Sequence, residues 1–142
     1  MKKIKIMVFG TFDGLHKGHV SFFKQARALA PNSFLIVSVA RDINVQRIKG
    51  HKPFFGEKGR LAMIKEHKFG DKVVLGGTKN YLPHVLKESP DIIALGYDQR
   101  SYVKNLKKDL KNKGILVSIV RLKSYRANVY KNHLLKNKKV IK

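Results

Sequence analysis

The chain contains no cysteine. That excludes a disulfide scaffold, a cysteine nucleophile and any metal site built on thiolates. No apolar run approaches the roughly 18–20 residues that span a bilayer. The basic start Met1-Lys2-Lys3 leads into too few apolar residues for a signal peptide. Acids are scarce: 9 Asp and Glu stand against 31 Lys and Arg, for a formal net charge of +22. Such a chain is expected to meet an anion, and phosphorylated small molecules, nucleic acid and anionic membrane all qualify. Because the lysines are spread along the whole chain, a merely solvated basic surface explains the charge equally well. The few acids are more informative, and Asp13, Asp42 and Asp98 lie inside motifs. Hydrophobic residues make up 43% of the chain, too many for a disordered tail protein. A length of 142 residues fits one domain, 1–142, ending in a basic tail from about 136. A soluble, cytoplasmic protein is the expectation.

Short apolar runs alternate with amphipathic stretches. Ile4 to Phe9, Phe34 to Ala40, Lys72 to Leu75, Asp91 to Leu95 and Ile115 to Leu122 read as strands. Gly18 to Ala30, Glu57 to His67, Leu82 to Lys87, Tyr102 to Lys113 and Asn128 to Asn137 read as helices. The polar segment Arg41 to Gly56 is expected to be a loop. Strands alternating with helices predict a doubly wound, Rossmann-like α/β fold, with a five-stranded parallel sheet and helices on both faces. The strands are continuously apolar rather than alternating, which fits a sheet buried on both faces. In such sheets ligands bind beyond the carboxyl ends of the strands, so Gly10, Arg41, Gly76 and Gly96 should lie on the binding edge.

The strongest motif on that edge is Gly10-Thr11-Phe12-Asp13-Gly14-Leu15-His16-Lys17-Gly18-His19. It joins the first strand to the first helix, where free backbone N–H groups and the positive dipole end favour phosphate. His16 and His19, three apart, can both turn toward one bound anion, and Gly18 lets phosphate approach the backbone. Two alternatives stand beside this: the histidines cap the helix, or they hold zinc. No third strong zinc ligand is evident.

The string resembles the His-x-Gly-His motif of the nucleotidyltransferase superfamily, in the Thr-Phe-Asp-x-x-His form of its cytidylyltransferase-like branch. Further elements are similar in family order: Arg41-Asp42, Lys49-Gly50-His51-Lys52-Pro53, Arg60-Leu61-Ala62-Met63-Ile64 and Gly96-Tyr97-Asp98-Gln99. Together they look most like the small archaeal-type FAD synthases, which are FMN adenylyltransferases. Glycerol-3-phosphate cytidylyltransferase is the nearest alternative.

The resemblance implies that an acceptor phosphate attacks the α-phosphate of ATP or CTP and that pyrophosphate leaves, with no covalent enzyme intermediate. It makes His16, His19, Lys52 and Arg60 the catalytic candidates, with Arg60 gripping phosphate through its guanidinium fork. Gly10, Thr11, Phe12, Asp13, Lys17, Gly18, Gly96, Asp98 and Asn132 become nucleotide-binding candidates. Lys49 and Lys52 become candidates for the acceptor phosphate. Asp13 would hold His16 or assist a metal, Asp42 would contact nucleotide or metal, and a divalent cation, Mg2+, would bridge phosphate oxygens. A homodimer is also implied. One departure stands out. Where the family carries a Ser/Thr-rich turn before its last helix, this chain has Tyr130-Lys131-Asn132-His133. A basic nucleic-acid-binding module and an inactive nucleotide sensor are the readings from other classes. The first is disfavoured because most aromatics sit in apolar runs, Phe54 and Phe55 beside Pro53 excepted. Neither a specific nucleic acid nor a membrane is expected as partner.

Overall fold

Ile6, Met7, Val8 and Phe9 are consecutive and all buried, so both faces of their strand are covered. That is the mark of a parallel sheet between two layers of helices. The computed structural model describes residues 2–79, 81–99 and 105–124. In chain order the elements are β1 (Ile4–Gly10), α1 (Lys17–Arg27), β2 (Ser33–Val39), α2 (Asp42–Lys49), α3 (Glu57–Glu66), β3 (Lys72–Leu75), α4 (Tyr81–Glu88), β4 (Ile92–Leu95), α5 (Leu106–Asn112) and β5 (Ser118–Arg121). The five strands are parallel, in the order β3-β2-β1-β4-β5.

Successive side chains of a strand point to opposite faces. Ile6 and Val8 therefore join Leu35, Val37 and Ala94 under Phe23 and Ala26 of α1 and Ile64 of α3. Met7 and Phe9 join Ile36, Ile93 and Leu95 under Val85 of α4 and Leu106 and Leu110 of α5. This is the doubly wound five-stranded α/β architecture that the alternation of apolar runs predicts.

Two elements differ from expectation. The segment from Arg41 to Gly56 is not all loop, because α2 occupies Asp42–Lys49. Only Val45 of this helix is buried, while Ile43 and Ile48 are at least half exposed, so no apolar stripe announces it. Its start is held from outside: Glu57 Oε1 accepts the Asp42 N–H at 2.8 Å, and Glu57 Oε2 accepts from Arg41 Nε at 3.1 Å. Gly50, at φ 82°, closes its end in the left-handed conformation. The last strand is shorter than Ile115 to Leu122, because among the described residues its only ladder is with the four residues of β4. The helix expected over 128–137, the basic tail and Asn132 lie outside the described residues.

Strand order reverses between β1 and β4, so Gly10 and Gly96 stand at the switch point where doubly wound sheets bind their ligands. The ladder between these strands runs from Ile6 opposite Ile92 to Val8 opposite Ala94. Past its end the Gln99 side chain takes over. Its Nε2 donates to the Phe9 carbonyl and its Oε1 accepts the Gly96 N–H, both at 2.7 Å.

Candidate active site

The loop that leaves β1 is shaped by a glycine and a phenylalanine. Phe12 has φ 53°, unusual for so bulky a residue, yet its ring is buried among Phe22, Phe23 and His19. A Cβ on Gly10 would lie 2.5 Å from that ring, so the loop closes this way only over a glycine. Phe12 is thus corrected from nucleotide-binding side chain to core residue: burial leaves only its backbone for a ligand. Its burial sets the path of the loop into α1.

At the N-terminus of α1, His16 Nδ1 accepts the Gly18 N–H at 3.0 Å, and His19 Nδ1 accepts the His16 N–H at 3.2 Å. The two rings stack with centroids 3.9 Å apart. Capping and anion binding are therefore not rivals. With each Nδ1 occupied as an acceptor, each neutral imidazole carries its proton on Nε2, so the backbone fixes the tautomer and leaves an N–H free to donate. Burial, and then the neighbouring His16, lower His19 from its usual 6.5 to about 4, so this ring is neutral at pH 7. The cap also uses amides that the sequence offered to phosphate: the Gly18 N–H serves the His16 ring, and the His19 N–H bonds the His16 carbonyl. The imidazole Nε2–H groups take over as donors at the positive end of the helix. Lys17, exposed, and Gly18, half-buried, sit in the same turn, and Thr11 is half-buried at its approach.

Arg60 is the second correction. It is fully buried rather than turned toward a phosphate. Its Nε donates to the Phe55 carbonyl, its Nη1 to the Thr11 and Ala40 carbonyls, and its Nη2 to Asp42 Oδ1 at 2.6 Å. One guanidinium thus ties together the loop after β1, the end of β2 and the turn before α3. It positions the site and has no surface for substrate contact. Asp42 is consumed by the same tie. Burial raises its pKa, but hydrogen bonds from Arg60 and from the backbone, with the charges of Arg60 and Lys52, hold the carboxyl below its ordinary range.

The exposed Asp13 carboxylate is not hydrogen-bonded to His16. Oδ2 accepts the Phe54 N–H at 2.6 Å and Oδ1 the Phe55 N–H at 2.7 Å, which fastens the turn before α3 to the histidine loop. Among the described residues no three His, Asp or Glu side chains gather as a metal site.

Lys49 ends α2, and Lys52 follows the Gly50 turn; both are exposed, and the Lys52 charge reaches Asp42. Asp98 is exposed in the turn after β4, beside Gln99 and two residues beyond Gly96. The sequence did not assign the roles of three residues: Gln99, read there only as part of a motif, as a bridge, Glu57 as the clamp on α2, and Arg121. Arg121 ends β5 and donates through Nη1 to the Gly96 and Gln99 carbonyls, each at 2.8 Å. Its place at the carboxyl end of a strand was a usable signal, since that is the binding edge.

Comparison with known proteins agrees with this geometry. The family described as cytidylyltransferase-like matches residues 7–139. The FAD synthase of Aciduliprofundum boonei is 43% identical over 122 residues, covering 86% of this chain and 80% of its own length. That of Thermococcus sibiricus is 38% identical over 141 residues, covering 99% of this chain and 91% of its own. The crystal structure of the lipopolysaccharide core biosynthesis protein from Thermoplasma volcanium superposes with a TM-score of 0.79 at 40% identity, over 87% of this chain and 99% of that one. The motif between β1 and α1, the sheet order and these matches converge: the chain belongs to the cytidylyltransferase-like family, alongside the FAD synthases.

Proposed function

We propose that the protein is an FMN adenylyltransferase. An oxygen of the FMN phosphate attacks the α-phosphorus of ATP. The new phosphoanhydride bond forms as the bond to the β-phosphate oxygen breaks, and FAD and pyrophosphate result. The attacking phosphate is already an anion near neutral pH, so no general base is needed, and catalysis consists of positioning and charge stabilisation. The observation that carries this reading is the locked histidine pair, two imidazoles whose Nδ1 atoms are engaged by the backbone and whose Nε2–H groups are free at a helix N-terminus. His16 and His19 donate to the triphosphate as negative charge builds. Thr11 and Lys17 add polar and positive contacts in the same loop, and Gly10 and Gly18 leave the room. Gly96 and Asp98 lie by the nucleoside, and Lys49 and Lys52 by the acceptor phosphate. A divalent cation, Mg2+, accompanies ATP and shields its charge.

The test is direct. The protein is incubated with Mg2+, FMN and ATP, or with CTP and glycerol 3-phosphate, and pyrophosphate and products are measured. FAD is the expected product. CDP-glycerol without FAD would transfer the reading to the cytidylyltransferase reaction.

A further inference from the structure

Phe54 is 85% exposed, which is an uneconomical place for a phenylalanine. Burying such a ring ordinarily gains about 2 kcal/mol. Slackness of the turn does not account for the exposure, because the backbone around it is held at three points. Asp13 accepts the N–H groups of Phe54 and Phe55, and Arg60 Nε donates to the Phe55 carbonyl. Phe55 lies over Gly14 of the histidine loop, where an added Cβ would sit 3.8 Å from its ring. Phe54 stands edge-to-face on Phe55, with centroids 4.8 Å apart. A bare aromatic ring thus stands on a turn whose backbone is fastened to the histidine loop.

Building on FMN as acceptor, we infer that Phe54 is the platform on which the isoalloxazine ring stacks during the reaction. The topology separates the two flat rings that the reaction must hold. The turn carrying Phe54 follows β2 and α2, on one side of β1, whereas the Gly96–Gln99 turn follows β4, on the other side. The histidine loop after β1 lies between them. In-line transfer puts the attacking phosphate opposite the leaving pyrophosphate, with the nucleoside off that axis, so the acceptor needs a seat apart from both. The nucleoside belongs to the crevice between β1 and β4. The flank beyond β2 is left for the acceptor. The segment there matches FMN end for end: Lys49 and Lys52 supply charge for its phosphate, and Phe54 supplies a face for its ring. Phe55 fixes the tilt of the platform, and Asp13 couples its position to that of the histidines.

Two measurements test this. In steady-state assays Phe54→Ala should raise the KM for FMN by about 10–100-fold, the usual scale of a lost ring stack. The KM for ATP should stay near that of the wild type, and Phe54→Tyr should restore the KM for FMN. The chain has no tryptophan, so Phe54→Trp places a single tryptophan at the site, whose emission can be excited selectively above the tyrosine absorption. FMN should quench its emission saturably, whereas ATP and inorganic phosphate should not. An unchanged KM for FMN in Phe54→Ala overturns the platform. So does a rise in the KM for ATP instead, which would assign the ring to adenine. So does loss of a dimer on sedimentation with the KM for FMN unmoved, which would assign it to a second copy of the chain. Quenching needs no turnover. A wild-type protein that made no FAD would therefore overturn the assigned reaction alone, and the ring site would stand or fall on whether FMN quenches Trp emission in Phe54→Trp.

Discussion

Replacing Arg60 with methionine separates a positioning residue from one that touches substrate. The variant keeps much of the apolar stem volume and removes the guanidinium. Three carbonyls, of Thr11, Ala40 and Phe55, lose their donors, and Asp42 loses its partner. Stripping one partner from a buried charged network costs about 3–5 kcal/mol, and each stranded polar group contributes about 1–3 kcal/mol unless water reaches it. Asp42 is 42% exposed at its side chain and can be rehydrated, so its share is small. The carbonyls dominate, and a loss of about 3–4 kcal/mol follows, a large part of a total stability of about 5–15 kcal/mol. Urea unfolding should show a much lower midpoint at unchanged slope. Arg60→Lys, which can still reach one or two of the acceptors, should fall between. The folded fraction of either variant should turn over slowly, because the Thr11 carbonyl is no longer tied. A midpoint equal to that of the wild type, combined with a loss of turnover of about 10²-fold or more, would refute the reasoning. It would return Arg60 to the phosphates.

His19→Ala should lower turnover by about 10²–10³-fold while the fold persists, and His19→Asn, which keeps a donor, should retain more activity; kcat and thermal unfolding measured together check this. His19 has its pKa lowered in the folded state, from 6.5 to about 4, so its contribution to stability is complete above pH 6.5 and is lost as the pH falls toward 4. The urea midpoint should drop over that window, and drop less in His19→Asn. Gly10→Ala places a methyl group against the Phe12 ring, and overpacking of this kind should cost about 1–3 kcal/mol and weaken ATP binding with it, as read by calorimetry.

Much of the architecture was visible in the residues. Continuous apolar strands, helices of about ten residues and the glycines at the ends of β1, β3 and β4 specify the sheet class and the edge where ligands bind. The histidine loop was visible too, because its meaning lies in side chains at fixed spacing. What could not be seen has a common cause. Arg60 and Asp13 are engaged mostly with main-chain atoms, the carbonyls of residues 11, 40 and 55 and the N–H groups of residues 54 and 55. Every residue has such atoms, so sequence cannot mark the partner. An arginine in the first turn of a helix reads as a surface cation, and only the convergence of three chain segments shows it to be their common tie. Helix α2 was hidden for a related reason: the glutamate that starts it lies fifteen residues further along the chain, and only one of its apolar residues is buried.

The Gln99 amide carries a further consequence. A primary amide has the donor and acceptor of a peptide unit, and this one stands where the next rung between β1 and β4 would be. Beyond the ladder the two strand ends are linked through a group that satisfies both of them. The spacing of the two strand ends is therefore tied to the length of one side chain and is set during folding. A shorter side chain at position 99 would leave the Phe9 carbonyl and the Gly96 N–H without these partners at the edge where ligands bind.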